Sequence, residues 1–267
     1  MAIPKKVADR MEKGLKRFQP VLESARTRDV NESDTSMIVT DMLAEIFGFD
    51  KYSDITREYA IRGTYCDLAT KIDDKLQTLI EVKAIGVSLK ESHVKQAVDY
   101  AANEGVEWVV LTNGQIWKVF SVSFSKPITA DLVLELDILS LDHNDADAHE
   151  DLFLLSKEGI QRSGLDAYSD QLRVRSRFNL AALILSDPIL HTIRRELKRL
   201  SPDVRISVDE IREALVQEVI KRDVTDGEKA VEAQRLVSRA ANKAMRQKKA
   251  KAEEAENGTV VGVSEPA

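Results

Sequence analysis

Asp67, Glu81 and Lys83 have the types and spacing for phosphodiester chemistry. Tyr65–Ile72 and Leu76–Lys83 read as β-strands, and Asp73-Asp74-Lys75 between them has turn composition. A three-residue turn centred on Asp74 sets Asp67 directly opposite Glu81, with Cβ atoms about 4.5–5.5 Å apart. Lys83, two residues beyond Glu81, shares its face, while Ile80, Val82, Leu68 and Ile72 turn into the core. Two carboxylates facing each other across a hairpin repel. A divalent cation removes that conflict, and oxygen ligands from one or two carboxylates plus water suit Mg²⁺. Such an ion polarises a phosphoryl oxygen and activates water, and a neighbouring ammonium can orient that water or steady the phosphate.

The flanking elements have to position these groups. Residues 5–19 carry Val7, Met11, Leu15 and Phe18 at helical spacing, and Pro20 is expected to interrupt or kink that helix. Residues 31–48 read as a second helix, capped by Asn31 or Ser33 and closed by Gly48, with Val39, Met42, Leu43, Ile46 and Phe47 apolar. Glu32 falls within about 20° of Val39 and Leu43 around that helix, whereas Glu45 lies at the margin of the face. Glu32 is therefore the acid expected to complete or approach the metal shell. Ile55–Ile61 reads as a further strand, residues 88–104 as a helix ended by Gly105, and Glu107–Thr112 and Gln115–Val122 as strands around the hairpin signal Asn113-Gly114. The order of one helix, three strands, one helix and two strands implies an α/β mixed sheet.

The ordered set formed by the acid-bearing helix start Asn31–Thr35, Asp67, Glu81-Val82-Lys83, and Gln96 and Tyr100 on the following helix resembles the PD-(D/E)XK nuclease superfamily. Within it, the set is similar to the N-terminal nuclease domain of type I restriction enzyme motor subunits. The resemblance covers about residues 25–125 and implies a restriction-endonuclease-like central sheet flanked by helices, an endonuclease activity on DNA, and Mg²⁺ or Mn²⁺ as cofactor. It implies Asp67, Glu81 and Glu32 as metal ligands and Asp67, Glu81, Lys83, Gln96 and Tyr100 as the catalytic set. Gln96 would bond a DNA phosphate or orient Lys83, with Tyr100 bracing it. Cys66 stands where the superfamily has its proline, and no Walker-type phosphate loop occurs, so a separate motor or specificity subunit is an expected partner. The competing reading is a catalytically silent DNA-binding or assembly protein that keeps the fold, and a third is a purely structural protein with a coiled-coil tail.

Other chemistry-bearing residues carry blander readings. His93 reads as a surface histidine and Cys66 as a buried strand residue without a paired base. His143, Asp145, Asp147 and His149 read as an acidic linker, and residues 142–153 lack the glycine an EF-hand needs at its sixth position.

The chain of 267 residues has 45 acidic and 39 basic side chains, a formal charge of −6 that excludes an evenly basic surface. The charges are uneven: residues 127–156 hold eight acids and no Lys or Arg, and residues 235–251 hold seven bases and no acid. Arg194, Arg195, Lys198 and Arg199 crowd one helix, and Arg235, Arg239, Lys243 and Arg246 form a stripe on another, extended by Lys248, Lys249 and Lys251. These are the candidate DNA-phosphate contacts, the stripe alternatively being a solvated or oligomer-forming helix. With one cysteine there is no intramolecular disulfide framework. No signal-like or membrane-length apolar run is present, so a cytoplasmic protein without a membrane partner is expected, with a homo-oligomer left open. The expected domains are a nuclease-like unit at 1–150, a helical region at 151–222 and a basic helix with disordered tail at 223–267. Residues 151–158, 165–185, 187–200 and 207–222 all suit helices, the last capped by Ser207 or Asp209, and the acidic stretch 142–151 is expected to be an exposed connection.

Overall fold

The computed structural model describes residues 2–61, 64–124 and 127–257. Of the tail expected to be disordered, 257–267, residues 258–267 lie outside them and Asn257 is helical. The described chain divides between Asp170 and Gln171 into two compact units.

The first unit is built on a six-stranded mixed sheet: β1 (Ile55–Ile61), β2 (Thr64–Ile72), β3 (Lys75–Val82), β4 (Trp108–Thr112), β5 (Ile116–Ser123) and β6 (Thr129–Asp137), in that spatial order. All neighbours are antiparallel except β3 and β4. The parallel pair is joined by a crossover through α3 (Glu91–Glu104), which Gly105 closes in the left-handed conformation at φ 68°. α3 packs Val94, Ala97, Val98 and Ala101 against Leu79, Val109 and Leu111 on one sheet face. By alternation, Ile80, Val82 and Val110 belong to the opposite face, where Trp117 meets Phe47 with ring centroids 5.0 Å apart.

Two helices precede the sheet. α1 (Lys5–Thr27) buries Val7, Met11, Leu15, Phe18, Leu22 and Ala25, and it continues through Pro20 instead of stopping there. Pro20 lies on the exposed face, so water can satisfy the carbonyl its missing N–H leaves free. α2 (Glu32–Glu45) starts at Asn31, whose side chain accepts the Asp34 N–H at 2.9 Å.

Strand β6 departs from the sequence reading, which assigns no regular element to residues 127–150 and marks them as part of an acidic stretch. Ala130, Leu132, Leu134 and Leu136 alternate there with Asp131, Val133 and Glu135, an edge-strand pattern masked by the charge. The acidic connection is likewise no open linker. Asp145 caps α4 (Ala146–Leu155), which buries Ala148 and Leu152–Leu155, and His149 Nε2 is 2.9 Å from the His143 carbonyl. α5 (Lys157–Gln161) is tied to the same unit. Arg10 donates to both Glu158 carboxylate oxygens at 2.7 Å, and Lys157 to Asp54 at 2.6 Å. The expected boundary at residue 150 therefore falls inside a packed helix.

α6 (Gly164–Val174) spans the division, and the expected single helix 165–185 breaks where Ser176 caps α7 (Arg177–Ile184). Asn179 Nδ2 donates to the Arg173 carbonyl at 2.6 Å at that break. The rest of the second unit is helical: α8 (Asp187–Leu200), α9 (Val208–Ala214) with a π-helical turn at Leu215–Val219, α10 (Arg222–Thr225) and α11 (Glu228–Asn257). Ser207 caps α9 reciprocally with Glu210.

Candidate active site

The hairpin β2–β3 sets the register on which the site depends. Its turn is two residues long, not three: Asp73 and Asp74 both have positive φ, 52° and 61°, as a type I′ turn requires. That turn pairs Ile72 with Lys75 and Lys71 with Leu76, and carried on regularly it would set Asp67 opposite Ile80. A bulge intervenes. Thr70 pairs with Thr78, leaving Gln77 as the extra residue, and from there Ala69 pairs with Leu79 and Leu68 with Ile80. Asp67 thereby arrives opposite Glu81, and its carboxylate accepts the Val82 N–H at 2.7 Å. Glu81 shares its face with Leu79, the face on which α3 packs.

The segment after β3 is held from three sides. The Lys83 N–H donates to the Thr112 carbonyl at 2.8 Å. Asn113 Nδ2 donates to the carbonyls of Ile85 and Val87, both at 3.1 Å, and Thr35 Oγ1 accepts the Ile85 N–H at 3.1 Å. The last bond docks the first turn of α2 against this segment and brings Glu32 beside Lys83. Lys83 Nζ lies 2.7 Å from Glu81 Oε1 and 3.6 Å from Glu32 Oε2. Glu45 is engaged elsewhere, with Arg17 at 2.5 Å.

Electrostatics follow from burial. Only 3 % of the Glu81 side chain is exposed, and its Oε2 is buried without a hydrogen-bond partner among the described residues. Burial raises the pKa of Glu81, the Lys83 hydrogen bond opposes this, and the charges of Asp67 and Glu32 add to it. Burial also raises Asp67, against the Val82 N–H and Lys83, with Glu32 and Glu58 pushing the same way as burial. Burial works against the charge on Lys83, but its bond to Glu81 and the fields of Glu81, Glu32 and Asp67 outweigh it, so Lys83 is held protonated more firmly than usual.

An orphaned, buried carboxylate oxygen facing a second carboxylate fits a small hard cation, which brings its own positive charge and waters. Asp67 and Glu81 are the groups that could hold it. Among the described residues no three His, Cys, Asp or Glu side chains gather into a ready-made metal cage. The expected trio of Asp67, Glu81 and Glu32 is accordingly not closed up, and Glu32 faces Lys83, its side chain 51 % exposed.

Gln96 and Tyr100 lie on α3 and bond each other, Gln96 Nε2 donating to Tyr100 Oη at 2.9 Å. The structure does not bring either into hydrogen-bonding contact with Lys83. Tyr100 also packs at the margin of the α3 core. His93 Nδ1 accepts the Lys90 N–H at 3.3 Å and so serves the start of α3. Cys66 is fully buried, its thiol pushed up to about 12 by burial and by the charges of Glu81 and Asp67. Asn113 and Thr35, which tether the Lys83 segment, were not marked in the sequence as site residues. Asn113 read only as a turn former, and Thr35 only as part of a helix start.

In the second unit, Arg195 and Arg199 on α8 share Glu196, at 3.6 and 2.9 Å. Lys198 beside them is exposed, and Arg194 is half-buried, its Nε without a hydrogen-bond partner among the described residues. Among the described side chains of α11 the buried or half-buried positions are Ala230, Ala233, Val237 and Ala241. At 100° per residue, Arg235, Arg239, Lys243 and Arg246 centre about 170–190° from that stripe. All four are exposed, directed away from the helix's packed side. The side chains of Lys248, Lys249 and Lys251 lie outside the described residues.

Residues 39–132 match the family model described as Type I restriction enzyme R protein N terminus (HSDR_N), a nuclease-like domain. The matched segment runs from the middle of α2 into β6, holds Asp67, Glu81, Lys83, Gln96 and Tyr100, and stops short of Glu32 and of both basic helices. The six-stranded mixed sheet with flanking helices and a helical C-terminal region is a restriction-endonuclease-like α/β fold. No curated protein and no solved structure matches the chain. Among the described residues no helix is long and apolar enough to cross a membrane.

Proposed function

We propose that this protein is a Mg²⁺-dependent DNA endonuclease of PD-(D/E)XK type, with Mn²⁺ able to replace Mg²⁺, acting in restriction or related DNA processing. The observation that carries the reading is the buried, unpartnered Oε2 of Glu81 opposite Asp67, with Lys83 alongside. The family match over the segment holding these residues supports it. Asp67 and Glu81 would hold the cation, and Glu32 would stand behind Lys83. A cation held there supplies Lewis-acid polarisation of a phosphoryl oxygen and makes water a better nucleophile at neutral pH. Lys83, kept protonated by its acidic neighbours, acts as a charged donor to the phosphate and the incoming water and not as a proton acceptor. Gln96 and Tyr100 would support the site from α3, with the Gln96 amide as the donor for a neighbouring DNA phosphate. The exposed stripe on α11 and the α8 cluster would contact further phosphates without reading bases, since no aromatic residues interleave with them. A separate motor or specificity subunit is the proposed protein partner.

The test is cleavage of supercoiled DNA with Mg²⁺ or Mn²⁺ by the wild type, Asp67→Ala and Lys83→Ala, with folding checked by circular dichroism. Each variant should lose about 100-fold or more of the metal-dependent rate. Wild-type rates in both folded variants would overturn the catalytic assignment. Saturable DNA binding with no cleavage by the wild type in either metal would favour the catalytically silent reading.

A further inference from the structure

We infer that Glu58 is a third carboxylate of the proposed cation site, joining Asp67 and Glu81 from the neighbouring strand; this rests on the nuclease reading above. The β1–β2 ladder pairs Arg57 with Leu68 and Tyr59 with Cys66, so Glu58 stands opposite Asp67, and theirs is the pair missing from an otherwise regular run. Glu58, Asp67 and Glu81 thus occupy one row across three adjacent strands. At the gap the Glu58 backbone adopts φ 49°, the left-handed region that glycine occupies freely and glutamate does not. The exposed side chain adds a negative charge whose field reaches Asp67.

Two unfavourable choices therefore coincide at one position: a side chain where the backbone favours none, and a third acid beside two carboxylates that already repel. Neither helps the metal-free fold. Both are offset if a cation draws the three acids together. The unpartnered Oε2 of Glu81, a side chain almost wholly buried in the same row, independently points to a positive ligand there. Glu58 is solvent-accessible where Glu81 is enclosed, so it would approach, from the open side of the site, an ion held by the two inner groups. This also accounts for the lack of a ready-made three-ligand cage among the described residues.

The experiment is a calorimetric titration of the full-length protein with Mn²⁺ in the absence of DNA, paired with thermal melts with and without Mn²⁺, for the wild type, Glu58→Gln, Glu58→Gly and Asp67→Asn. Glu58→Gln should bind Mn²⁺ about tenfold or more weakly. Glu58→Gly should melt higher than the wild type without metal, because the backbone conformation is relieved, and should gain less on adding Mn²⁺. A purely structural role would move the metal-free melt alone. Wild-type Mn²⁺ affinity in both Glu58 variants, with affinity lost in Asp67→Asn, would overturn the role of Glu58 and leave the nuclease site standing. Absence of saturable Mn²⁺ binding by the wild type would overturn the site itself and Glu58 with it.

Discussion

The end of the β2–β3 hairpin and the outer face of α11 both concentrate charge, but they hold it in opposite ways. In the hairpin, the register that runs to Leu68–Ile80 brings Asp67 and Glu81 to the same level, and the burial of Glu81 limits screening by water. Their protonation equilibria shift, and one oxygen is left without a partner. On α11 the four bases stand in solvent on the side away from the packed alanines. Neighbouring side chains are about equally spaced in the two settings, about 4.5–5.5 Å across strands and about 5–6 Å along a helix face, so the difference lies in burial: Glu81 is enclosed, whereas the bases of α11 stand in water. The first arrangement suits a small, dense cation. The second suits an extended polyanion met one phosphate at a time.

The contrast is broken most severely by cutting the chain where its charge pattern changes. A chain ending at residue 150 loses Leu152, Phe153, Leu154 and Leu155, all buried, together with the Arg10–Glu158 and Lys157–Asp54 pairs. Each buried leucine is worth about 2–5 kcal/mol, so the loss rivals the roughly 5–15 kcal/mol stability of a whole domain. It should fail to give a cooperative urea transition, while a chain ending at residue 175 should unfold cooperatively. Equal transitions for the two would mean that α4 and α5 are dispensable to the carboxylate site.

The stripe is tested by neutralising it. Replacing Arg235, Arg239, Lys243 and Arg246 together with Gln should weaken DNA binding about equally for unrelated sequences. It should also flatten the slope of log affinity against log salt by about two to four, at about 0.9 per phosphate contact. Cleavage at saturating DNA should persist, because the proposed catalytic groups lie in the other unit. An unchanged slope would remove α11 from the DNA footprint.

The smallest effect sharpens the account of the hairpin. The raised pKa values of Asp67 and Glu81 mean that the folded state prefers them protonated, relative to their ordinary values of 3.8 and 4.5. The stability they contribute is complete below that ordinary range and is lost as pH rises through their raised folded values. Asp67→Asn keeps an acceptor for the Val82 N–H but removes one charge. Without metal it should be more stable than the wild type at pH 7, by about 0.5–1 kcal/mol. That gain should fade toward pH 4, and Mg²⁺ should reverse its sign. Urea titrations at the two pH values would show no gain at pH 7 if the carboxylates did not repel.

Much of this was legible in advance for local reasons. Strand β1 agrees with the reading of Ile55–Ile61, and of the two caps the sequence offers for α2, Asn31 and Ser33, the structure uses Asn31, whose side chain accepts an N–H three residues on. The pairing of Asp67 with Glu81 was also reached, though through a turn one residue too long. The actual turn is shorter, and the bulge at Gln77 restores the missing residue. Strand β6 was hidden because acids on the outer face of an edge strand look the same in sequence as acids in a linker.

The sequence by itself determined which groups are available and how they repeat: an acid and a Glu-x-Lys on adjoining strands, a Gln and a Tyr one turn apart, and a basic stripe of helical period. These are properties of neighbours within a few residues, and secondary-structure geometry converts them directly into shared faces. Only the tertiary structure decided the rest. It put Glu32 on Lys83 through the Thr35–Ile85 bond, and left Gln96 and Tyr100 bonded to each other. It set Glu58 opposite Asp67 in a left-handed backbone conformation, and carried the first unit on to Asp170. Each depends on backbone groups far apart in the chain finding hydrogen-bond partners at once, a condition that no local spacing encodes.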